Sequence, residues 1–148
     1  MVAPLHIRHA CAMPTPSPFD TAALHALVPL ATTLGVRVAS AAPDGVRLEL
    51  DHRPELCTAG GVLHGGAIMA LADTAGALCA YLNLPDDATG TTTVESKTNL
   101  IAAVRGGTLI ATAAPLHAGG TLVVVETELR REDGRLAAKT VQTQMVLR

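Results

Sequence analysis

Aromatic side chains are nearly missing from this chain: among 148 residues there is one Tyr, one Phe and no Trp. That removes the stacking platforms on which single-stranded nucleic acids are held. No cluster of Lys or Arg is present, and the formal net charge is −2, so the electrostatic footprint of a nucleic-acid binder is lacking as well. Cysteine is sparse. Cys11, Cys57 and Cys79 form an odd set without paired spacing, which points to free thiols in a reducing compartment. No secretory signal is evident, because Met1 to Pro18 carries His6, Arg8, His9 and four prolines but no long apolar run. The segment from Gly66 to Leu84 approaches membrane length, yet Asp73 sits near its middle and no basic residues anchor its ends. A cytoplasmic protein that neither spans a membrane nor binds nucleic acid is expected.

What is present is a globular composition. A hydrophobic fraction of 49% and a charged fraction of 16% exclude a disordered chain, and the length fits one domain. The core must be built from Ala, Val, Leu and Ile. Residues 1–18 read as a loose N-terminal extension and residues 19–148 as the folded domain. His6 and His9 lack further ligands nearby, as do His52 and His117, so no metal site is expected.

Along the chain, Asp20 or Ser17 can cap a short helix through Leu24, Leu27 and Leu30, with Gly35 beyond its end and Pro29 shortening or kinking it. Val36–Ala39 and Val46–Leu50 alternate around Pro43-Asp44-Gly45, a hairpin signature. From Gly90 onward the chain is almost all strand: Gly90 to Ile101, Thr108 to Leu116, Thr121 to Arg130 and Leu136 to Leu147, the last with Gln142 and Gln144 on the face opposite Val141 and Met145. Strands separated by such short turns are expected to pair as antiparallel neighbours. Glu95 with Lys97, and the Glu126, Glu128, Arg130 and Arg131 set, read as solvated strand faces. The class is α+β: one long helix on an antiparallel sheet.

The central stretch runs from Gly60 to Leu82. A glycine-rich turn leads into an apolar segment whose only charge is Asp73, and a helix that is apolar all round is a buried helix. A carboxylate there is costly unless it is hydrogen-bonded or has chemical work to do. Glycine lets a carbonyl approach the unpaired N–H groups of a helix start, where an oxyanion is stabilised. No G-x-S-x-G elbow and no evident Cys–His pair compete, so the carboxylate is the available activator. Gly65 and Asp73 stand eight residues apart, which is ~12 Å along one helix, whereas one reacting carbon must lie within ~3 Å of both groups. Either the two are unrelated, or Gly65 of one subunit meets Asp73 of another across a two-fold axis.

The run His64-Gly65-Gly66, followed by Leu71-Ala72-Asp73 and Ala75-Gly76, resembles the signature of hotdog-fold acyl-CoA thioesterases. More narrowly, it is similar to the 4-hydroxybenzoyl-CoA thioesterase superfamily of the phenylacetate-degradation type. The match runs over roughly residues 35 to 147. It implies a single hotdog domain in which the central helix is wrapped by the sheet, and a homodimer or a dimer of dimers. It implies that the Gly65 N–H holds the thioester carbonyl and that Asp73 acts as nucleophile or general base, with His64 and Gly66 shaping the turn. Thr58 stands where the family commonly has Asn or Gln, with Cys57 and Ala59 as neighbours in an adjacent register. Thr91 or Thr92 stands where a hydroxyl supports the acid; the hydroxyl some members carry one turn later is replaced by Ala77. Arg105 is the candidate contact for coenzyme A phosphates, the His117-Ala118-Gly119-Gly120 turn lacking a basic Lys or Arg. Ile68, Met69 and Leu71 are candidates for lining the acyl tunnel, and the shortage of aromatics favours an aliphatic acyl group. Coenzyme A is then part of the substrate rather than a cofactor, and an acyl-carrier protein is an alternative carrier. A non-catalytic acyl-CoA-binding protein and a hotdog hydratase or dehydratase are the competing functions; the second lacks its usual histidine motifs here.

Overall fold

The computed structural model describes residues 19–148. The extension with His6, His9 and Cys11 lies outside the described residues. Two short helices come first, α1 (Thr21–Leu27) and α2 (Pro29–Leu34). Asp20 caps α1 by accepting the Ala23 N–H at 2.8 Å. Pro29 divides what the sequence reads as one helix, because it has no N–H to give and suits the first position of α2. The hairpin follows as β1 (Arg37–Ala42) and β2 (Gly45–Asp51). A short 3-10 turn (Pro54–Leu56) and the glycine loop lead into α3 (Gly65–Tyr81). Four strands complete the chain: β3 (Gly90–Leu100), β4 (Thr108–Ala118), β5 (Leu122–Arg131) and β6 (Leu136–Leu147).

All strands join one antiparallel six-stranded sheet in the order β1-β2-β4-β5-β6-β3. The expectation that successive strands are neighbours fails at one place. β3 and β4 are not adjacent: β4 pairs with β2, and β3 closes the far edge against β6. The sheet wraps α3, and small residues let the helix lie close. Ala72, Ala75, Cys79 and Ala80 are fully buried against the inner face, where Leu48, Leu109, Val125 and Leu129 meet them. This is the hotdog arrangement. Among the described residues, no helix is long and apolar enough to cross a membrane.

One expectation needs correction. α3 is apolar all round but not buried all round. Gly66, Met69, Ala70, Asp73, Ala77 and Tyr81 fall on one open stripe, with Met69 45% and Tyr81 50% exposed. Their spacing of three and four residues makes the stripe one helix face. On β6, Gln142 and Gln144 lie opposite Val141 and Met145 as expected, and it is the glutamine face that turns inward to the helix, nearly or fully buried, while Met145 is exposed.

Candidate active site

The glycine loop is held from several sides. The Thr58 N–H donates to the Val62 carbonyl (2.8 Å), and the Gly61 N–H to the Thr58 carbonyl (3.0 Å). Gly61 adopts a φ of 67°, a conformation that suits glycine. His52 Nε2 lies 2.9 Å from the Gly61 carbonyl and 3.1 Å from Cys57 Sγ. A Cys–His pair therefore does exist, formed because the 3-10 turn folds the two residues together. Cys57 Sγ itself donates to the Arg53 carbonyl at 3.2 Å.

His64 is the N-cap of α3, and its Nδ1 accepts the Gly66 N–H at 2.8 Å. The Ala67 and Ile68 N–H groups donate to the His64 carbonyl. The Gly65 N–H has no acceptor among the described residues. One donor at the positive end of a 17-residue helix is thus left open. A small cleft adjoins it, with Ile68 and Leu100 in its walls. A Cβ on Gly65 would come within 2.8 Å of Leu100 Cδ1.

Asp73 lies two turns further along, half-buried on the open stripe. Thr93 Oγ1 donates to Asp73 Oδ1 at 3.0 Å. Gln142 Nε2 donates to the same oxygen at 3.3 Å and to the Asp73 main-chain carbonyl at 3.4 Å. Behind Thr93, Gln144 Nε2 donates to its hydroxyl at 2.6 Å. Oδ2 carries no hydrogen bond among the described residues. The acid borders a cavity of about 520 Å³ between α1, α2 and α3, whose walls include Leu24, Leu27, Leu30, Ala77 and Leu78. A carboxylate with one oxygen pinned and the other free, beside an apolar cavity, can take a proton from water or attack a carbonyl.

The hydroxyl that reaches Asp73 is thus that of Thr93. Thr91 Oγ1 donates to the Met145 carbonyl and lies 3.2 Å from Gln144 Oε1, while Thr92 is exposed. A bulge between Thr93 and Glu95 resets the alternation of β3 there. Thr58 and Arg105 are exposed in loops, and neither is among the hydrogen-bond partners of Asp73. Leu71 is fully buried in the core and Ile68 nearly so, leaving Met69 on the open stripe. Gln142 and Gln144 were not legible as site residues. The one hint was polarity at alternate positions of a β-rich segment, which by itself reads as a solvated face. Gly65 and Asp73 border different cavities of the same protomer, so one chain does not bring them together.

Comparisons with known proteins bear on the family and the fold. A model of the thioesterase superfamily matches residues 60–138. A provisionally named esterase of Mycobacterium tuberculosis is 34% identical over 106 residues, 70% of this chain and 76% of that protein. The solved structure of that esterase superposes with a TM-score of 0.78 at 28% identity, covering 81% of this chain and 97% of the other. A provisionally named esterase of Saccharolobus solfataricus is 34% identical over 115 residues, 78% of this chain and 81% of that protein. The crystal structure of a thioesterase from Haemophilus influenzae matches with a TM-score of 0.75 at 26% identity, covering 80% and 82% of the two chains.

Proposed function

The chain belongs to the thioesterase superfamily, and we propose that it hydrolyses acyl-CoA to a free acid and coenzyme A at a site shared between two subunits. The observation that carries this reading is Asp73: Oδ1 is fixed by Thr93 and Gln142, and Oδ2 accepts no hydrogen bond among the described residues and lies beside the apolar cavity. Oδ2 takes a proton from water as the water oxygen adds to the thioester carbonyl, or Oδ2 adds itself. The carbonyl oxygen becomes an oxyanion and is held by the Gly65 N–H of the second subunit. The oxyanion collapses, the C–S bond breaks, and the thiolate leaves with the electron pair. Thiolate is a good leaving group, so no strong acid is required. If Oδ2 attacks directly, water then cleaves the resulting anhydride and returns Asp73.

The shared site is supported by what the protomer leaves uncovered. β3 has a free edge along its 11 residues, with Val94 49% and Leu100 55% exposed. Long free edges pair readily with another chain. β3 also carries Glu95 and Lys97 two residues apart, so antiparallel self-pairing about Ser96 sets opposite charges across the junction. The open stripe of α3, with Met69 and Tyr81, forms the other uncovered surface. The cavity beside Asp73 is walled mainly by aliphatic side chains, but Phe19 and Tyr81, the chain's two aromatic residues, line it too, so its walls do not select an aliphatic over an aryl acyl group.

Release of free thiol from a panel of acyl-CoAs tests the function. The wild type should release it catalytically, and Asp73→Asn should lower the rate by about 10²-fold or more with an unchanged melt. Full activity in a folded Asp73→Asn protein refutes the assignment. Hydration of an enoyl-CoA, or tight binding without turnover, would instead establish one of the competing functions.

A further inference from the structure

We infer that Gln142 is a positioning residue for Asp73, and that the glycine at position 76 is there to admit it. The inference rests on the reading of Asp73 given above. Gln142 is fully buried on the inner face of β6, in a row with Ala138, Thr140, Gln144 and Val146. Its Nε2 bridges the carboxylate and the main-chain carbonyl of the same aspartate, at 3.3 and 3.4 Å. Such a bridge fixes both the rotamer of Asp73 and its place on the helix. Thr93 completes the clamp from β3. Because the Thr93 hydroxyl accepts from Gln144, its single proton is left for Asp73. Both donors act on Oδ1, so Oδ2 alone is left for chemistry.

The helix is shaped to receive the amide. A Cβ at Gly76 would lie 2.4 Å from Gln142 Cδ and Oε1 and 2.8 Å from Nε2. Gly76 is fully enclosed mid-helix, where glycine otherwise weakens the helix. Gln142 Oε1 is buried without a hydrogen-bond partner among the described residues. A buried amide that satisfies only one of its two ends is a poor choice for stability alone. An apolar residue of similar size would serve the core better, so the amide is retained for the acid it holds.

The test compares kcat, KM and melting temperature for the wild type, Gln142→Leu, Gly76→Ala, Thr93→Val and Thr93→Ser. The substrate is the acyl-CoA that the wild type turns over fastest. Gln142→Leu should lower kcat by roughly 10- to 100-fold, the scale of a small misplacement of a catalytic group. KM should stay within about two-fold, and the melting temperature should hold or rise. Gly76→Ala should lower kcat as well, and Thr93→Ser should retain the activity that Thr93→Val loses. Wild-type kcat in Gln142→Leu overturns the inference while leaving the function intact, provided that Asp73→Asn is inactive. A kcat loss that only follows a falling melting temperature, with Thr93→Ser no better than Thr93→Val, overturns it too. If Asp73→Asn proves fully active, the functional reading has failed instead. The contact is then judged by the melts of Asp73→Asn, Gln142→Leu and the double variant: non-additive shifts support it, and additive shifts overturn it.

Discussion

In the proposed site Gly65 contributes a backbone N–H rather than a side chain, and its position allows that group to be removed cleanly. It is the first residue of α3, preceded by His64 at φ −64° and ψ 136°. Proline suits the first helical position, and its predecessor favours this extended conformation. Gly65→Pro should therefore keep the helix, with Leu100 shifting to make room, and delete one oxyanion donor. Loss of such a donor typically costs about 3 kcal/mol of transition-state stabilisation. We expect kcat to fall about 10²- to 10³-fold with a cooperative melt retained; undiminished turnover would show that this N–H does not face the carbonyl. The two described thiols should also separate. Burial pushes the Cys79 thiol up to about 11, with the charge of Asp44 adding to the effect, and the residue is fully enclosed. In a Cys11→Ser background, iodoacetamide near neutral pH should label half-buried Cys57 and spare Cys79 until the protein unfolds, as mass spectrometry can read. Asp73 could be singled out in the sequence because one charge in a long apolar run is conspicuous. Thr93 and Gln142 could not. Threonine is ordinary in strands, and period-two alternation says which residues share a face without saying which face is inside.

At the level of elements, composition and turns located nearly every helix and strand, and β6 matches its expected span of Leu136 to Leu147. What they could not give was order across the sheet. Short connections favour adjacent pairing, but the seven residues between β3 and β4 carry the chain from one edge strand to the interior of the sheet. That connection places β3, and with it Thr93, beside α3 at the free edge. The opposite edge, β1, is tied by side chains. Arg37 Nη2 donates to Asp51 Oδ1 at 3.0 Å and to Glu49 at 3.3 Å, and Asp51 also accepts from Thr108. The Arg37 hydrogen bonds, then that from Thr108, hold the Asp51 carboxyl below its usual value. The native state thus sheds this proton at lower pH than the unfolded chain does. The resulting stability is present above the unfolded value and disappears as pH falls through the native one. Arg37→Met should lower the melting temperature modestly near neutral pH, since the pair is solvent-exposed. Melts over an acid series should show the difference from wild type shrinking below the ordinary carboxylate range; a constant difference would assign the effect of Arg37 to packing instead.

For the whole molecule, what matters in the proposed site is that one rigid helix carries both Gly65 and Asp73 and so keeps them apart. Eight residues of α3 separate Gly65 from Asp73 by ~12 Å. The helix axis cannot shorten, so the proposed site calls for a second copy whose α3 runs the other way. Each two-fold dimer then contains two sites, each made from Gly65 of one subunit and Asp73 of the other. This arrangement has a consequence that no single-chain site shares. Gly65→Pro and Asp73→Asn each disable both sites of their own homodimer. When the two variants are unfolded together and refolded as a mixture, every heterodimer pairs an intact Gly65 on the Asn chain with an intact Asp73 on the Pro chain. Its other site carries both lesions. Random assortment makes about half of the dimers mixed, each with one working site, so turnover should recover to about a quarter of wild type. Were both groups used within one chain, no assortment could rebuild a site, and the mixture would stay as inactive as its parts. Recovery of thiol release on mixing thus measures directly whether the protein works as two halves of two sites.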